Sequence, residues 1–276
     1  MTKIMTLNTH SWMEENPEQK LADLVTQIVK ADYELIALQE VNQLLASKSV
    51  VPDKYFQALT KQMAIHEDNF ALVLVEKLKA AGLNYYWSWE ASHIGYDRYA
   101  EGSAILSKHE IVAESFLVSA ESDFTDYHTR RILLAHTQLM GEDVRVLSGH
   151  YSWWESDSSG FAYEWDQTLA HLKQVDTPII LMGDLNNAAD VSGEGYDYVQ
   201  QTAPQLLDAY QQADVLQGRY TVEKSIDGWE GNQQKLRIDY IFVSDVFKVA
   251  RYQVIFDNVS SPIVSDHYGV EVELFN

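Results

Sequence analysis

Four short polar phrases, spread over almost the whole chain, each come directly after an apolar run. They are Leu38–Glu40, Gly183–Asn186, Ile238–Tyr240 and Ser265–His267. An apolar run such as Pro178–Met182 predicts a buried strand, and a carboxylate just beyond it lies where strand ends meet solvent. Asn8 follows a fifth run in the same way. We therefore expect five strand ends to deliver oxygen or imidazole groups to one site, of the kind that binds a hard metal ion.

A site that draws on both ends of the chain constrains the domain organisation. Asn8 and His267 have to fold together, and no linker, internal repeat or low-complexity tract separates them. With 276 residues, 46% of them hydrophobic, the chain is long enough for one substantial core. The sequence therefore predicts a single catalytic domain over residues 1–276.

Secondary-structure signals predict an α/β fold. Asn16 and Pro17 mark the start of a helix that separates two strands, which favours a parallel pair, and further helices are predicted at residues 68–81 and 161–174. Sparse helices among many strands favour two sheets packed face to face with helices outside. Residues 42–67 show little periodicity and are expected to form a loop-rich insertion over the site. Turn signals separate short β-rich segments, predicted to be antiparallel, at residues 102–107, 111–119, 132–139 and 144–148.

The net charge argues against polyanionic partners. The chain has 41 acidic residues against 20 basic ones, and its formal charge of −21 repels nucleic acids and offers no gain from counterion release. A small phosphate ester stays possible, because one divalent ion and a few basic groups reverse the potential inside a pocket. The chain has no cysteine, which excludes disulfides, thiolate catalysis and cysteine–zinc sites.

The N-terminus predicts a cytoplasmic protein. Met1–Lys3 lead directly into the first predicted strand, without the apolar segment of a signal peptide. No apolar run is long enough to span a membrane. We therefore expect no membrane partner, and the sequence shows no sign of an obligate protein partner.

The acidic and amide side chains of the phrases suggest individual roles. Glu40 suits Mg²⁺, which prefers one or two carboxylates and keeps its other positions for water and phosphate; Mn²⁺ accepts similar ligands. Asp184 and Asn186 share one side of the chain, so the acid is a candidate to orient or activate water. The amide is a candidate to donate to charge developing on phosphorus. The alternatives are a helix-start acid for Glu40 and an Asx turn at residues 184–186.

Histidines next to acids suggest phosphate binding. Asp266 and His267 point in different directions and so can serve a metal and a phosphate oxygen respectively, while Asp239 is a candidate to orient His267. His150, after a strand-like run, is predicted to be the second imidazole. Glu101 is predicted to pair with His150 and keep it charged, because an adjacent carboxylate raises the pKa of an imidazole. The alternative is that the Asp–His pair lies in a surface turn.

In this order, the phrases resemble the endonuclease/exonuclease/phosphatase superfamily over nearly the whole chain. The resemblance implies a four-layer α/β sandwich, in which two packed, mostly antiparallel mixed sheets are flanked by helices. It also implies Mg²⁺-dependent hydrolysis of a phosphate ester by direct attack of water, without a covalent enzyme intermediate. Glu40, Asn8 and Asp266 would hold the metal; Asp184 would orient or deprotonate water; Asn186, His150 and His267 would bind phosphoryl oxygens; Asp239 and Glu101 would orient the two histidines.

The aromatic residues favour a sugar as the rest of the substrate. Trp12, Trp153 and Trp154 are predicted to surround the phosphate pocket, where flat aromatic faces suit sugar rings. Arg130 and Arg131 are candidates to provide positive charge for phosphate. The alternatives are loop packing for the tryptophans and ordinary strand-edge positions for the arginines.

The sequence thus predicts a phosphomonoesterase that acts on a small phosphorylated sugar. Nucleases, lipid hydrolases and sugar phosphatases share such a catalytic core, so two alternatives stay open. One is a phosphodiesterase, either sphingomyelinase-like or a nuclease; the absence of a signal peptide disfavours the former and the missing basic track disfavours the latter. The other is a non-catalytic binding module, which the full metal set argues against.

Overall fold

Strands outnumber helices along this chain, as the sequence predicts. The computed structural model describes residues 1–154, 159–173 and 176–275. In chain order the elements are β1 (Thr2–Asn8), α1 (Pro17–Ala31), β2 (Leu35–Leu44), α2 (Phe70–Ala80), β3 (Tyr86–Gly95), β4 (Tyr99–Ser107), β5 (Val112–Leu117), β6 (Arg131–Leu139), β7 (Glu142–His150), α3 (Gly160–Leu172), β8 (Ile179–Asp184), α4 (Gly195–Thr202), β9 (Leu206–Asp208), α5 (Ala209–Gln212), β10 (Val215–Gln217), β11 (Asp239–Ser244), β12 (Lys248–Ile255) and β13 (Gly269–Phe275).

These strands form two mixed sheets. The first has the order β10-β12-β13-β1-β2-β4-β3, and the second has the order β5-β6-β7-β8-β11-β9. Most neighbours are antiparallel, but β1 pairs with β2, β7 with β8 and β10 with β12 in parallel. The β1–β2 pair confirms the predicted parallel opening. Asn8, His150 and Asp184 are the last residues of β1, β7 and β8. Three of the polar groups singled out from the sequence therefore do lie at strand ends.

Side chains alternate along the strands between the two sides of each sheet. Ile4 lies in the core between the sheets, whereas its neighbour Met5 packs beneath α1 and α2. In the second sheet Ile180 joins the central core and Leu181 packs beneath α3 and α4. A strand buried on both faces needs such apolar residues at successive positions. The result is four layers, helix, sheet, sheet and helix, which confirms the predicted α/β sandwich.

The first helix follows its sequence signals closely. Asn16 is the N-cap of α1 and Pro17 is its first residue, where the missing N–H of proline costs nothing. Leu21, Leu24 and Ile28 recur at helical spacing and are buried against the first sheet. The Asn16–Pro17 pair therefore marks the start of α1, and the amphipathic pattern decides which face of the helix is buried.

The other predicted helices also form. α2 begins at Phe70, just after Asn69, whose side chain accepts a hydrogen bond from the Leu72 N–H at 3.1 Å and so caps the helix. α3 ends at Leu172, and Gln174, the predicted end, lies outside the described residues. Within the described ranges the helices are too short or too polar for any of them to cross a lipid bilayer.

Two of the predicted strand ends are strand starts. Asp239 is the first residue of β11, and Ser265–His267 lie just before β13, so the apolar residues preceding them are not strands. Because β11 is antiparallel to β8 and β13 is antiparallel to β1, these starts lie at the same edge as the ends of β8 and β1. The polar groups therefore do lie at one edge, as predicted, but two of them come from strand starts and not from strand ends.

The predicted insertion at residues 42–67 does not lie over that edge, because residues 42–44 belong to β2 and residues 45–67 lie elsewhere. They contain only turns and isolated bridges and lie along the edge strand β3, where the Trp87 N–H donates to the Tyr55 carbonyl at 3.0 Å. A cavity of about 360 Å³ separates part of this segment from α2; its lining includes Val50, Leu72 and Lys79. This segment thus completes the first sheet rather than the site.

A buried ion pair anchors the chain just before β11. Arg237 is 3% exposed, and its guanidinium donates to both carboxylate oxygens of Asp208, at 2.8 and 3.1 Å. The rings of Tyr196, Tyr210 and Tyr240 lie 4.7 to 5.1 Å from the guanidinium carbon. A guanidinium enclosed by aromatic rings and paired to one carboxylate is stable in the interior only while that carboxylate is present.

We expect Asp208→Ala to lower the free energy of unfolding by about 3–5 kcal/mol, because it leaves the Arg237 charge buried without a partner. Urea denaturation of the purified protein measures this loss. Glu223→Ala is the matched control, since it removes an exposed carboxylate from Lys235 at 2.7 Å. A midpoint for Asp208→Ala as close to wild type as that of the control would contradict the expectation.

Candidate functional site

The gathered strand termini border a cavity of about 580 Å³. Gly183 makes this convergence possible, because its φ is +149° and a β-carbon there would collide with the carbonyl oxygen of Gly149 in the parallel strand β7. His150 and Asp184 therefore lie level with each other in the register of β7 and β8. Among the residues predicted for the site, those that line the cavity are Glu40, Glu101, Arg130, His150, Trp153, Asp184, Asn186 and His267.

Glu40 reaches the cavity from the middle of a strand. The β2–β4 register shifts between Leu38 and Val41, and Glu40 has a φ of +51°, so a β-bulge redirects its side chain. Asn8 Nδ2 donates to the Glu40 carboxylate at 2.8 Å and to Asp184 at 3.1 Å. The Asn8 oxygen instead accepts from the His10 N–H at 3.2 Å. In this orientation the Asn8 amide nitrogen bridges the two carboxylates. Its side-chain oxygen faces the His10 N–H and not a metal ion that the carboxylates would share.

Asp184, Asp239 and His267 form a buried triad. Asp239 lies opposite Asp184 in the β8–β11 register, and its carboxylate contacts His267 Nδ1 at 2.9 Å. His267 Nε2 lies 3.8 Å from Asp184. Burial alone would lower the pKa of His267, but the Asp239 and Asp184 carboxylates outweigh it and raise that pKa well above 6.5. The arrangement favours a positively charged imidazole, oriented by Asp239 as the sequence predicts.

His150 has the opposite electrostatic setting. Its Nε2 lies 3.2 Å from the Asn186 amide nitrogen and its Nδ1 lies 3.4 Å from Arg130 Nη1. Burial, followed by the charge of Arg130, lowers the pKa of His150 well below 6.5. The predicted pairing of Glu101 with His150 is wrong. The Glu101 carboxylate lies 3.2 Å from His93 Nε2 instead. We therefore assign a neutral imidazole to His150, in which Nδ1 accepts from Arg130, a group that can only donate, and Nε2 carries the proton.

The Asn186 amide is fixed from two sides. Its Nδ2 donates to the Tyr151 carbonyl at 2.9 Å, and its oxygen accepts from Trp229 Nε1 at 2.9 Å. The Asn186 N–H donates to Asp184 at 2.8 Å. Trp229 thus decides which end of the amide faces the cavity, and no local pattern predicts this contact between distant loops.

Acidic side chains in the cavity repel one another. Burial, followed by the carboxylates of Glu101 and Asp266, raises the pKa of Glu40 to about 8. A divalent cation relieves such repulsion, and carboxylate oxygens are the ligands that Mg²⁺ prefers. Asp266 lies 3.8 Å from His10 Nδ1 and is not part of the cavity lining, but its charge acts on Glu40, and both carboxylates are therefore candidate metal ligands. Two groups of three side chains also hold potential ligand atoms within 4.8 Å of one another: His10, Glu14 and Asp266, and Asp184, Asp239 and His267.

Three of the predicted substrate-binding residues lie elsewhere. Trp12 packs edge-on against Phe70, and its Nε1 donates to the Asp68 carbonyl at 2.7 Å. Trp154 packs against Tyr198 in the core beneath α3 and α4. Arg131 pairs with Glu90 at 2.6 Å. For these residues the alternatives of packing and strand-edge pairing are the correct ones, whereas Trp153 and Arg130 do line the cavity.

Several residues in or beside the cavity were not predicted from the sequence to belong to the site. The Tyr96 hydroxyl donates to Asp227 at 2.6 Å and lies 3.2 Å from His10 Nε2. His10 also contacts Glu14 at 2.7 Å. His10 follows Asn8 by two residues, and this short spacing is the sequence signal that could have placed His10 near the site. Of the remaining added residues, His93 lies on β3, and the others lie in loops without periodicity; they are Tyr96, Tyr127, Asp227 and Glu230.

Comparison with known proteins supports the superfamily resemblance. A sequence profile described as the Endonuclease/Exonuclease/phosphatase family matches residues 11–267. No curated protein sequence matches the chain significantly. The solved structure of an endonuclease/exonuclease/phosphatase family protein from Leptotrichia buccalis C-1013-b is 34% identical, with a TM-score of 0.85 and both chains covered over 100% of their length.

More distant solved structures share the fold. A mannosyl-6-phosphatase from Bacteroides thetaiotaomicron VPI-5482 is 18% identical, with a TM-score of 0.66 and 100% of both chains covered. TDP2 from D. rerio, complexed with a single strand DNA product, is 16% identical, with a TM-score of 0.64; the match covers 100% of this chain and 99% of TDP2. Proteins with this fold thus include a mannosyl-6-phosphatase and a protein complexed with a DNA product.

We expect Trp229→Phe to lower kcat for a phosphate ester about tenfold and to leave KM within about twofold, because it removes one hydrogen bond that orients Asn186. Steady-state kinetics measure both constants. Trp12→Phe is the matched control, since it also removes an indole N–H donor but lies outside the cavity. Equal kcat values for the two variants would contradict a positioning role for Trp229.

Proposed function

This chain belongs to the endonuclease/exonuclease/phosphatase family, and from that premise we propose that it is a metal-dependent phosphomonoesterase acting on a small phosphorylated sugar. Members of this family hydrolyse phosphate esters. The observation that carries the choice of substrate is the composition of the cavity, in which Trp153, Tyr96 and Tyr127 accompany the polar groups. Aromatic faces beside hydrogen-bonding groups suit sugar rings, and a volume of about 580 Å³ suits a mono- or disaccharide phosphate.

Asp184 is the proposed group that orients or deprotonates the attacking water. Burial, followed by repulsion from Asp239, raises its pKa to about 7. A general base works best when its pKa lies near the working pH. The Asn8 amide and the Asn186 N–H both donate to Asp184, so its oxygens are held in position.

Three further groups are proposed to bind the phosphoryl oxygens. His267 is the cationic donor, since Asp239 orients it and favours its charged form. Asn186 and the neutral His150 add hydrogen-bond donors, and Arg130 lies behind His150 with its positive charge. Fixed donors around a phosphate stabilise the charge that develops as water attacks, without reorganisation during the reaction.

Glu40 and Asp266 are the proposed ligands of the metal, either Mg²⁺ or Mn²⁺. A bound divalent ion would act as a Lewis acid and neutralise phosphate charge. Asn8 supports this role indirectly, because its amide nitrogen holds the Glu40 carboxylate in place. Glu101 pairs with His93, and its charge adds to the negative potential around Glu40.

Maltose 6′-phosphate is the first substrate that we propose. Residues 6–13 and 149–154 resemble a bacterial branch of the family that includes maltose 6′-phosphate phosphatase. Trp12 and Trp154 lie outside the cavity, so the structural support for a sugar comes from Trp153 and from the exposed tyrosines, Tyr96 and Tyr127. A diester substrate is the second candidate, since TDP2 shares the fold, but the charge of −21 opposes DNA.

Hydrolysis in the presence of Mg²⁺ tests this proposal, measured as phosphate release from monoesters, p-nitrophenol release from the diester and shortening of DNA. The panel contains maltose 6′-phosphate, mannose 6-phosphate, a nucleoside monophosphate, bis(p-nitrophenyl) phosphate and single-stranded DNA, with EDTA and Asp184→Asn as controls. Selective release from a sugar phosphate is the expected result. Faster cleavage of the diester or of DNA would overturn the proposed monoesterase.

We expect saturating Mg²⁺ to raise the melting temperature by about 5 °C, because binding to the folded state at 100 times Kd adds about 2.7 kcal/mol of stability. Glu40→Gln should abolish this rise by removing a ligand. Differential scanning fluorimetry with and without Mg²⁺ gives the measurement, and Glu223→Gln, which changes the charge equally outside the cavity, is the control. An equal rise in Glu40→Gln would contradict the proposed metal site.

Trp153→Ala should raise KM for the preferred sugar phosphate about tenfold, with kcat within about threefold, because the indole contacts the sugar and not the phosphate. Trp154→Ala serves as the control, since Trp154 packs against Tyr198 outside the cavity. Steady-state kinetics on both variants give the comparison. An unchanged KM for Trp153→Ala would remove the indole from the sugar site.

A further inference from the structure

The cavity has a buried floor and an exposed rim. The Asp184 and His267 side chains, which belong to the floor, are 1% and 4% exposed. The Asp227 side chain is 59% exposed, and Glu230 is exposed too, although both line the same cavity. A substrate whose phosphate lies on the floor therefore has its leaving group next to these two carboxylates.

Asp227 has partners that offset part of its charge. Its carboxylate accepts a hydrogen bond from the Tyr96 hydroxyl at 2.6 Å. His10 Nε2 lies 3.6 Å from the same carboxylate. These contacts join the β3–β4 turn to the loop before β11 and fix the position of Asp227 at the rim.

Glu230 has no such compensation. Its carboxylate accepts a hydrogen bond from the Gly228 N–H at 3.2 Å within its own loop. Among the described residues that line the cavity, the only Lys or Arg is Arg130, which is buried beside His150 at the floor. The rim thus carries a carboxylate that no neighbouring cation pairs with.

The loop that carries Glu230 is held against the floor. Trp229 Nε1 donates to the Asn186 oxygen at 2.9 Å. Gly228 has a φ of +78°, and a β-carbon there would collide with the Trp153 ring, so the backbone of this loop lies directly against the indole. Glu230 follows Trp229 immediately, and its position relative to the phosphate site is therefore defined by packing.

We infer that Glu230, assisted by Asp227, restricts this enzyme to phosphate monoesters whose leaving group is uncharged. The inference rests on the proposed phosphomonoesterase function and specifies its substrate class. Hydroxyl groups of a neutral polyol or sugar donate hydrogen bonds to the two carboxylates. A leaving group that carries a carboxylate or a second phosphate meets like charge at the rim.

Sorbitol 6-phosphate and 6-phosphogluconate form a suitable pair of substrates for the test. Both are open-chain 6-phosphate monoesters, and they differ at the far end, where one has a neutral hydroxymethyl group and the other a carboxylate. We expect Glu230→Gln to raise kcat/KM for 6-phosphogluconate relative to sorbitol 6-phosphate about tenfold over the wild-type ratio. In wild type, added salt should reduce the discrimination, because an exposed carboxylate is screened.

Glu223→Gln is the matched control, because it removes the same charge from the same loop region outside the cavity. Unchanged ratios in Glu230→Gln and in Asp227→Asn, with both substrates hydrolysed, would overturn the inference and leave the proposed function intact. An equal rise in Glu223→Gln would overturn it too, since net charge would then explain the effect. Failure of wild type to hydrolyse any phosphate monoester with Mg²⁺ would instead overturn the proposed function, together with the inference that rests on it.

Discussion

The site depends on one buried carboxylate, Asp184, which lies at the end of β8 between the two sheets. An isolated charge in such a position is costly, and the neighbouring residues reduce that cost. Asn8 donates to it at 3.1 Å, the Asn186 N–H donates at 2.8 Å, and His267 lies 3.8 Å away. Asn186 is a neighbour in the chain, whereas Asn8 and His267 come from opposite ends of it. Two of the three partners are therefore present only when β1 and the start of β13 pack beside β8.

Strand direction explains how distant residues reach Asp184. A parallel neighbour contributes its last residue, as β7 does with His150. An antiparallel neighbour contributes its first residue, as β11 does with Asp239. A β-bulge allows a third route, in which Glu40 reaches the cavity from a strand that continues for several more residues. A mixed sheet can thus concentrate functional groups at one edge from both strand ends and strand starts.

The electrostatics of the cavity differ from those of the whole molecule. The chain carries a formal charge of −21, yet Arg130 and the cationic His267 lie on the buried floor. The exposed rim keeps the negative sign of the surface through Asp227 and Glu230. A low-dielectric floor strengthens a few local positive groups, whereas solvent weakens the distant acidic ones. An anionic phosphate group is therefore compatible with an acidic protein.

Local sequence signals predicted two facing sheets with helices outside, the approximate limits of three helices and most of the polar groups that line the cavity, because apolar periodicity and the polar residues that interrupt it are local; the four-layer sandwich came from the family resemblance. These signals did not reveal that residues 236–238 and 262–264 precede strands, since a short apolar run looks the same before a strand as within one. The pairing of Glu101 with His93, and not with His150, depends on tertiary contacts. So does the difference between Trp153, which lines the cavity, and its neighbour Trp154, which is partly buried against the core beneath α3 and α4. Ion pairing and burial depend on which distant segments meet, and no local pattern encodes that choice.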